Sequence, residues 1–241
     1  NFYEQRGYFE EIIALLESGL GLDRAHGGMY TELAILYSKH KPSKLMEHLS
    51  LFAKPSTGMN LSKVGQVCEK NQQWKELTFL QIQDKEYDKA VNTMIAHSVD
   101  AWEHVQFKEI IVKVVNSDNY YKAIKFYLEY QPALVGDLLN TIAGKVDHTR
   151  VVTLVRELGH LPLIKGYLTK VQPANIRAVN EALNQLYIEE EDYEALRASI
   201  ESYDDYDAID LARKCEKHEL LEFRRIAAVL YKKNGKFAKS I

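Results

Sequence analysis

Tyr87-Asp88-Lys89-Ala90-Val91 is followed 33 residues later by Tyr120-Tyr121-Lys122-Ala123-Ile124. The phrase returns as Tyr193-Glu194-Ala195-Leu196, as Tyr206-Asp207-Ala208-Ile209 and, 31 residues after that, as Phe237-Ala238-Lys239-Ser240-Ile241. Each time an aromatic residue opens the phrase, a small residue follows, and an apolar stripe begins. Intervals of 31 and 33 residues match one helix–turn–helix unit. A helix pair of that size cannot cover its own apolar face, so such units stack on one another. The phrase therefore predicts an all-α fold, a right-handed α-α superhelix (a solenoid of stacked helix hairpins) of about seven pairs. It also predicts one continuous array over residues 1–241, with no separate second domain. Arrays of this kind present long sides that hold other proteins rather than convert substrates.

Apolar periodicity runs nearly from end to end. It predicts helices over 8–19, 28–40, 43–53, 60–71, 73–83, 86–97, 106–117, 119–131, 133–143, 148–158, 161–171, 175–189, 191–201, 206–216 and 219–233. In 106–117 the stripe is Phe107, Ile110, Ile111, Val114 and Val115. No run of period-two alternation flanked by hairpin signals competes with it. Lys41-Pro42, Gln131-Pro132 and Gln172-Pro173 end helices, because proline lacks a donor and pushes the preceding residue out of the helical region. Gly7, Gly159 and Gly235 suit left-handed helix ends, and Asp118 and Asp147 suit N-caps. The longest irregular stretch, 53–60, reads as a loop within the array.

Composition narrows the function. With 46% hydrophobic and 27% charged residues, the chain can bury a continuous core and cover its outside. A net charge of −3 gives no overall basic excess for nucleic acid or an anionic membrane surface. No stretch approaches the roughly 20 apolar residues of a membrane span. Cys68 and Cys215 are far apart, without metal-ligand spacing, and read as plain core or surface thiols of a reducing compartment. The opening Asn1-Phe2-Tyr3-Glu4 is neither a signal peptide nor an initiator methionine, so the sequence reads as a piece of a longer chain.

Catalytic constellations are missing. The eight histidines include no HExxH pattern or other compact ligand cluster, so no metal is expected. The acidic runs Glu189-Glu190-Glu191-Asp192 and Asp204-Asp205 could supply paired carboxylates for glycoside hydrolysis. They read better as helix starts, where carboxylates complement the positive end of the dipole. Phosphate-binding loops, nucleophile elbows and dinucleotide fingerprints are absent, so the chain is not expected to be an enzyme or to hold a cofactor. Lys217-His218-Glu219-Leu220 looks like a retention signal but is internal, where such signals do not act.

Longer runs carry a family resemblance. Arg24 through Lys39, Asp118 through Leu128, Lys145 through Arg150 and, above all, Glu189 through Tyr231 resemble the clathrin heavy chain. That last run contains Glu191-Asp192-Tyr193-Glu194-Ala195-Leu196-Arg197 and Lys217 through Ala228. The similarity covers essentially the whole chain and departs from the family around 53–60, where the loop is longer and more polar. The resemblance implies a proximal-leg segment of a vesicle-coat scaffold, cytoplasmic and on the cytosolic face of coated pits and vesicles. Its implied partners are other clathrin heavy chains in the lattice and the acidic clathrin light chain, with membrane reached only through adaptors. A second trafficking solenoid, such as a vacuolar-sorting tether subunit, would carry the same repeat. In the family, a lysine of the helix matching Ile111-Val112-Lys113-Val114 contacts the light chain, which singles out Lys113. Lys108, Lys122 and Lys125 nearby would widen a basic strip, and Trp102 and Trp74 are candidate contact aromatics because tryptophan is enriched at interface hot spots. The plainer readings are an i,i+4 pair from Glu109 to Lys113 and, for Trp102 and Trp74, core packing.

Overall fold

The computed structural model describes residues 7–22 and 25–236, and the phrase at Phe237 lies outside them. Among the described residues the regular structure is entirely helical. The α-helices are α1 (Phe9–Gly19), α2 (Gly27–His40), α3 (Pro42–Phe52), α4 (Leu61–Lys70), α5 (Trp74–Gln83), α6 (Tyr87–Ala96), α7 (Ser98–Ala101) and α8 (His104–Ile111). They continue as α9 (Asp118–Tyr130), α10 (Val135–Ile142), α11 (His148–Glu157), α12 (Lys165–Val171), α13 (Arg177–Glu189), α14 (Tyr193–Ser202), α15 (Ala208–Glu216) and α16 (Leu221–Lys233). The chain divides into two compact units, residues 1–119 and 120–241, with the division in the first turn of α9.

Within the first unit the helices pack on near neighbours in sequence, as α2 does on α1, α3 and α4, and α5 on α3, α4, α6 and α7. The second unit repeats this, α13 meeting α11, α12 and α14, and α16 meeting α14 and α15. That order of contacts is what stacked hairpins produce, and the fold class is an all-α solenoid. The core follows the predicted stripes. In the first unit Ile13, Leu33, Leu45, Leu49, Val64 and Cys68 are fully buried in one cluster. In the second, Tyr127, Leu138, Leu139, Tyr167, Leu183 and Phe223 play that part. Covering each such side chain is worth about 1.5–3 kcal/mol relative to leaving it exposed.

The repeat aromatics do not share one environment. Tyr120 is buried, whereas Tyr87, Tyr193 and Tyr206 are half-buried. Tyr193 packs edge-on against Phe223 of α16, with ring centroids 6.4 Å apart. A tyrosine that opens a helix lies at the end of a seam, where one edge of the ring meets solvent.

Helix ends follow the predicted chemistry at several points. Pro42 is the first residue of α3, Pro132 starts a short 3-10 turn, and Pro173 is the second residue of another that begins at Gln172. Asp147 caps α11, its Oδ1 accepting the Arg150 N–H at 2.9 Å. Gly7, Gly159 and Gly235 all have positive φ. Asp118, expected as an N-cap, is instead the first residue of α9, and Asn116 Oδ1 accepts its N–H at 3.0 Å. The acidic run is also split. Glu189 ends α13, Glu191 turns left-handed, and only Asp192 caps α14, accepting from the Ala195 N–H at 2.9 Å.

The stretch 53–60 is a built connection. Pro55–Thr57 forms a 3-10 turn, Ala53 and Met59 are buried, and Asn60 caps α4. Gly58 presses on the first turn of α2, where a Cβ on Gly27 would lie 2.0 Å from the Gly58 carbonyl oxygen. Only glycine fits at 27.

Candidate functional site

Trp102, Lys108 and Lys113 fall in one short stretch of the first unit. Trp102 is extended and links α7 to α8, Lys108 lies within α8, and Lys113 follows its end. Helix α8 has eight residues, about 12 Å. Glu103 starts it, its carboxylate accepting the N–H groups of Val105 at 3.0 Å and Gln106 at 2.7 Å. The Gln106 bond, then the Val105 bond, hold that carboxyl below the ordinary carboxylate range.

The helix expected over 106–117 stops at Ile111. Val112, Val114 and Val115 are β-branched and add little helix propensity. A competing acceptor then takes the next donors. Asp88, in the first turn of α6, accepts the N–H of Val115 at 3.1 Å and of Asn116 at 3.0 Å, and the Asn119 side-chain amide at 2.7 Å. Burial alone would raise the Asp88 carboxyl, but these hydrogen bonds outweigh it and the pKa falls below its usual value. Val114 turns inward at 7% exposure, while Val115, expected in the buried stripe, is 92% exposed.

This turn sets the surroundings of Lys113. With residue 113 outside the helix, the i,i+4 geometry is lost and no ion pair to Glu109 forms. The Lys113 ammonium instead lies over the Tyr87 ring, 5.3 Å from its centroid, a cation–π contact worth about 0.5–1 kcal/mol at an exposed site. Tyr87 and Asp88 thus seat the same turn from below, one through its ring and the other through its carboxylate. Lys113 remains exposed, its charge uncompensated by any carboxylate. Lys108 and Trp102 are half-buried, and Trp102 lies 6.1 Å from the His104 ring, tilted by 46°. Trp74 is different: its ring stacks on the His97 imidazole at 3.4 Å, nearly parallel, against the core of α1 to α5.

Sequence patterning missed the apolar part of this surface. Val99 at 96% exposure and Val105 at 57% flank Trp102 in the chain, and Val115 follows Lys113. Nothing in a β-branched residue's identity signals exposure, so only the early end of α8 reveals Val115. Lys122 and Lys125 belong to the second unit. The arrangement suits a partner with carboxylates and apolar side chains, and it holds no grouping of acid, base and nucleophile. Among the described residues no three His, Cys, Asp or Glu side chains gather to hold a metal. Cys68 and Cys215 are both buried, and burial pushes each thiol up to about 12.

Comparison with known proteins gives one answer along the chain. Residues 1–135 and 139–241 match the family described as Clathrin, "Region in Clathrin and VPS". Clathrin heavy chain of Dictyostelium discoideum is 60% identical over 239 residues, which is 99% of this chain and 14% of that protein. Clathrin heavy chain 1 of Oryza sativa is 55% identical over 240 residues, and clathrin heavy chain 2 of Homo sapiens 53% over 240, each match covering all of this chain and 14% of the relative. The chain thus spans about one seventh of the length of these relatives. With its stacked helix hairpins and a match that runs through both units, the chain belongs to the clathrin repeat family.

Proposed function

We propose that the chain is a structural segment of a clathrin coat, acting in vesicle-mediated intracellular transport and endocytosis. It would be a proximal-leg segment that packs beside other heavy chains in the lattice on the cytosolic side, reaching membrane only through adaptors. The observation that carries this reading is identity of 60% to a protein named clathrin heavy chain over 99% of the chain. The family description also names VPS, which keeps a vacuolar-sorting subunit as the second reading. Its role is mechanical, with no reaction of its own.

The finer part of the proposal is the light chain. The surface around Lys113, Lys108 and Trp102 would take an acidic helical partner, with Trp102 and the exposed valines as apolar anchors. Support comes from the uncompensated charge of Lys113 on its Tyr87 seat and from exposed apolar groups on the same stretch. Calorimetric titration with a clathrin light chain at two salt concentrations tests it. Exposed charge mainly tunes association rate and salt sensitivity, while buried anchors supply affinity. Lys113→Glu should therefore weaken binding by about 1 kcal/mol at low salt and flatten the salt dependence. Trp102→Ala should weaken it by about 2 kcal/mol at both concentrations. Unchanged affinity in both variants removes this surface from the site, and failure of the parent chain to bind removes the light chain from the proposal.

A further inference from the structure

Helices α4 and α6 both pack on α5, and an open groove of about 560 Å³ lies along the three. Its apolar lining includes Leu61, Leu77 and Leu80, and its acidic lining includes Glu69 and Asp84. Three features of this groove work against the stability of the fold.

The first is Gly65, in the interior of α4. A glycine there weakens a helix, and it is normally kept where a neighbour comes too close for a side chain. Here a Cβ would meet only Leu77 Cδ1 at 3.5 Å, an ordinary contact. The fold does not need this glycine, and its missing side chain leaves the groove open.

The second is charge. Glu69 lies in the last turn of α4 and Asp84 caps the end of α5, both exposed and neither in a salt bridge, with Lys89 near enough to feel the Asp84 charge. The last turn of a helix carries the negative end of its dipole, where carboxylates are unfavourable and cations welcome. The single lysine of the lining, Lys89, is already paired with Glu86 at 2.5 Å. The third is Gln81, whose side-chain oxygen is buried in the groove wall with no hydrogen-bond partner, leaving an amide free to turn toward a donor.

We propose that this groove docks a cationic segment of another protein. One apolar side chain seats over Gly65, and basic residues on either side meet Glu69 and Asp84. Antiparallel packing of α4 and α5 puts their C-terminal ends at opposite ends of the groove, so the acidic groups are spaced along it rather than clustered. Two helices of ten residues give it a length of about 15 Å, enough for four or five extended residues. This assignment stands apart from the light-chain surface, which uses other residues.

The probe is a fluorescent seven-residue peptide with a central leucine flanked by lysines, titrated by anisotropy against the full chain. A second peptide carries glycine for leucine. The parent chain should bind the leucine peptide at least tenfold more tightly than the glycine one. Gly65→Leu, which fills the groove, should raise the Kd at least tenfold, and the double variant Glu69→Gln, Asp84→Asn at least fivefold. Gly65→Ala should raise the melting temperature while weakening the peptide, which separates docking from folding. Equal binding of both peptides, unchanged binding by the two groove variants, or no binding by the parent chain overturns the proposal. Self-association of the parent chain that Gly65→Leu abolishes also overturns it, because the occupant is then a second copy.

Discussion

Asp88→Ala should loosen the 112–116 turn without unfolding the helices around it. The carboxylate accepts three hydrogen bonds, two from backbone N–H groups and one from the Asn119 side chain. Bonds to a charged group contribute about 1.5–3 kcal/mol each when buried. Val115 and Asn116 are exposed, so water can replace Asp88 at both amides, and only Asn119, at 1% exposure, is left without that recourse. The net cost is therefore about 2 kcal/mol rather than the sum of three bonds. By the equivalence of 1.36 kcal/mol to a factor of ten, protection of the Val115 and Asn116 amides from hydrogen exchange should fall about 30-fold. Because its folded pKa is depressed, Asp88 contributes stability above its unfolded value of about 3.9, and that contribution is lost as pH falls through the folded pKa. Urea midpoints of the parent and Asp88→Ala chains should therefore differ at pH 7 and converge below about pH 4. Unchanged exchange at both amides, or a difference that persists in acid, would refute the assignment of this turn to Asp88.

The same physics gives other expected outcomes. Lys85→Gly and Glu191→Gly relieve left-handed backbone at φ 60 and 59, so each should raise the urea midpoint by the equivalent of about 0.5–1 kcal/mol, whereas Gly159→Ala at φ 73 should lower it by about 1. Tyr120→Ala should cost about 3 kcal/mol because its side chain is buried, and Tyr87→Ala, Tyr193→Ala and Tyr206→Ala clearly less; equal losses in urea titrations would put all four in one environment. His48 is buried with Nε2 2.9 Å from the Tyr30 carbonyl oxygen, and burial lowers its pKa despite that bond. Stability should thus drop as pH falls below about 6.5, down to the depressed folded pKa, and His48→Gln should flatten that slope in a pH series of melting curves.

The helices were legible because their cause is periodic. Stripes such as Leu220, Phe223, Ile226, Ala227, Leu230 and Tyr231 repeat with the helical period, and five of these six are at most 2% exposed. What periodicity could not show was where a helix yields to a side chain from elsewhere in the chain. The end of α8 is the clearest case, because Asp88 is 27 residues before Val115 and nothing local marks it. The candidate surface shared that limit: Lys113 was legible by resemblance alone, while the Tyr87 ring beneath it and the exposed Val115 depend on that turn.

Helix ends make the same point in backbone terms. Five helices, α4, α5, α11, α13 and α16, close with one arrangement, in which the residue two past the helix is left-handed and the next N–H reaches back five residues. Gln73 N–H bonds the Cys68 carbonyl at 2.9 Å, and His160 N–H bonds that of Val155 at 3.1 Å. Glycine announces two of these ends, Gly159 and Gly235, but Gln72, Lys85 and Glu191 serve at the other three. A left-handed non-glycine residue costs about 1–2 kcal/mol, which is no more than the cost of leaving a pair of terminal carbonyls without donors. After the turns that close α4, α5, α11 and α13 the next residue caps the following element, as Asp192 does for α14, so the sharp reversal is what returns the chain to pack on its own helix. Glycine is thus not necessary for such an end, and Gly65 inside α4 shows that it is not sufficient either. In a stacked array the demand to turn within two or three residues overrides the local preference of whichever side chain stands at the corner.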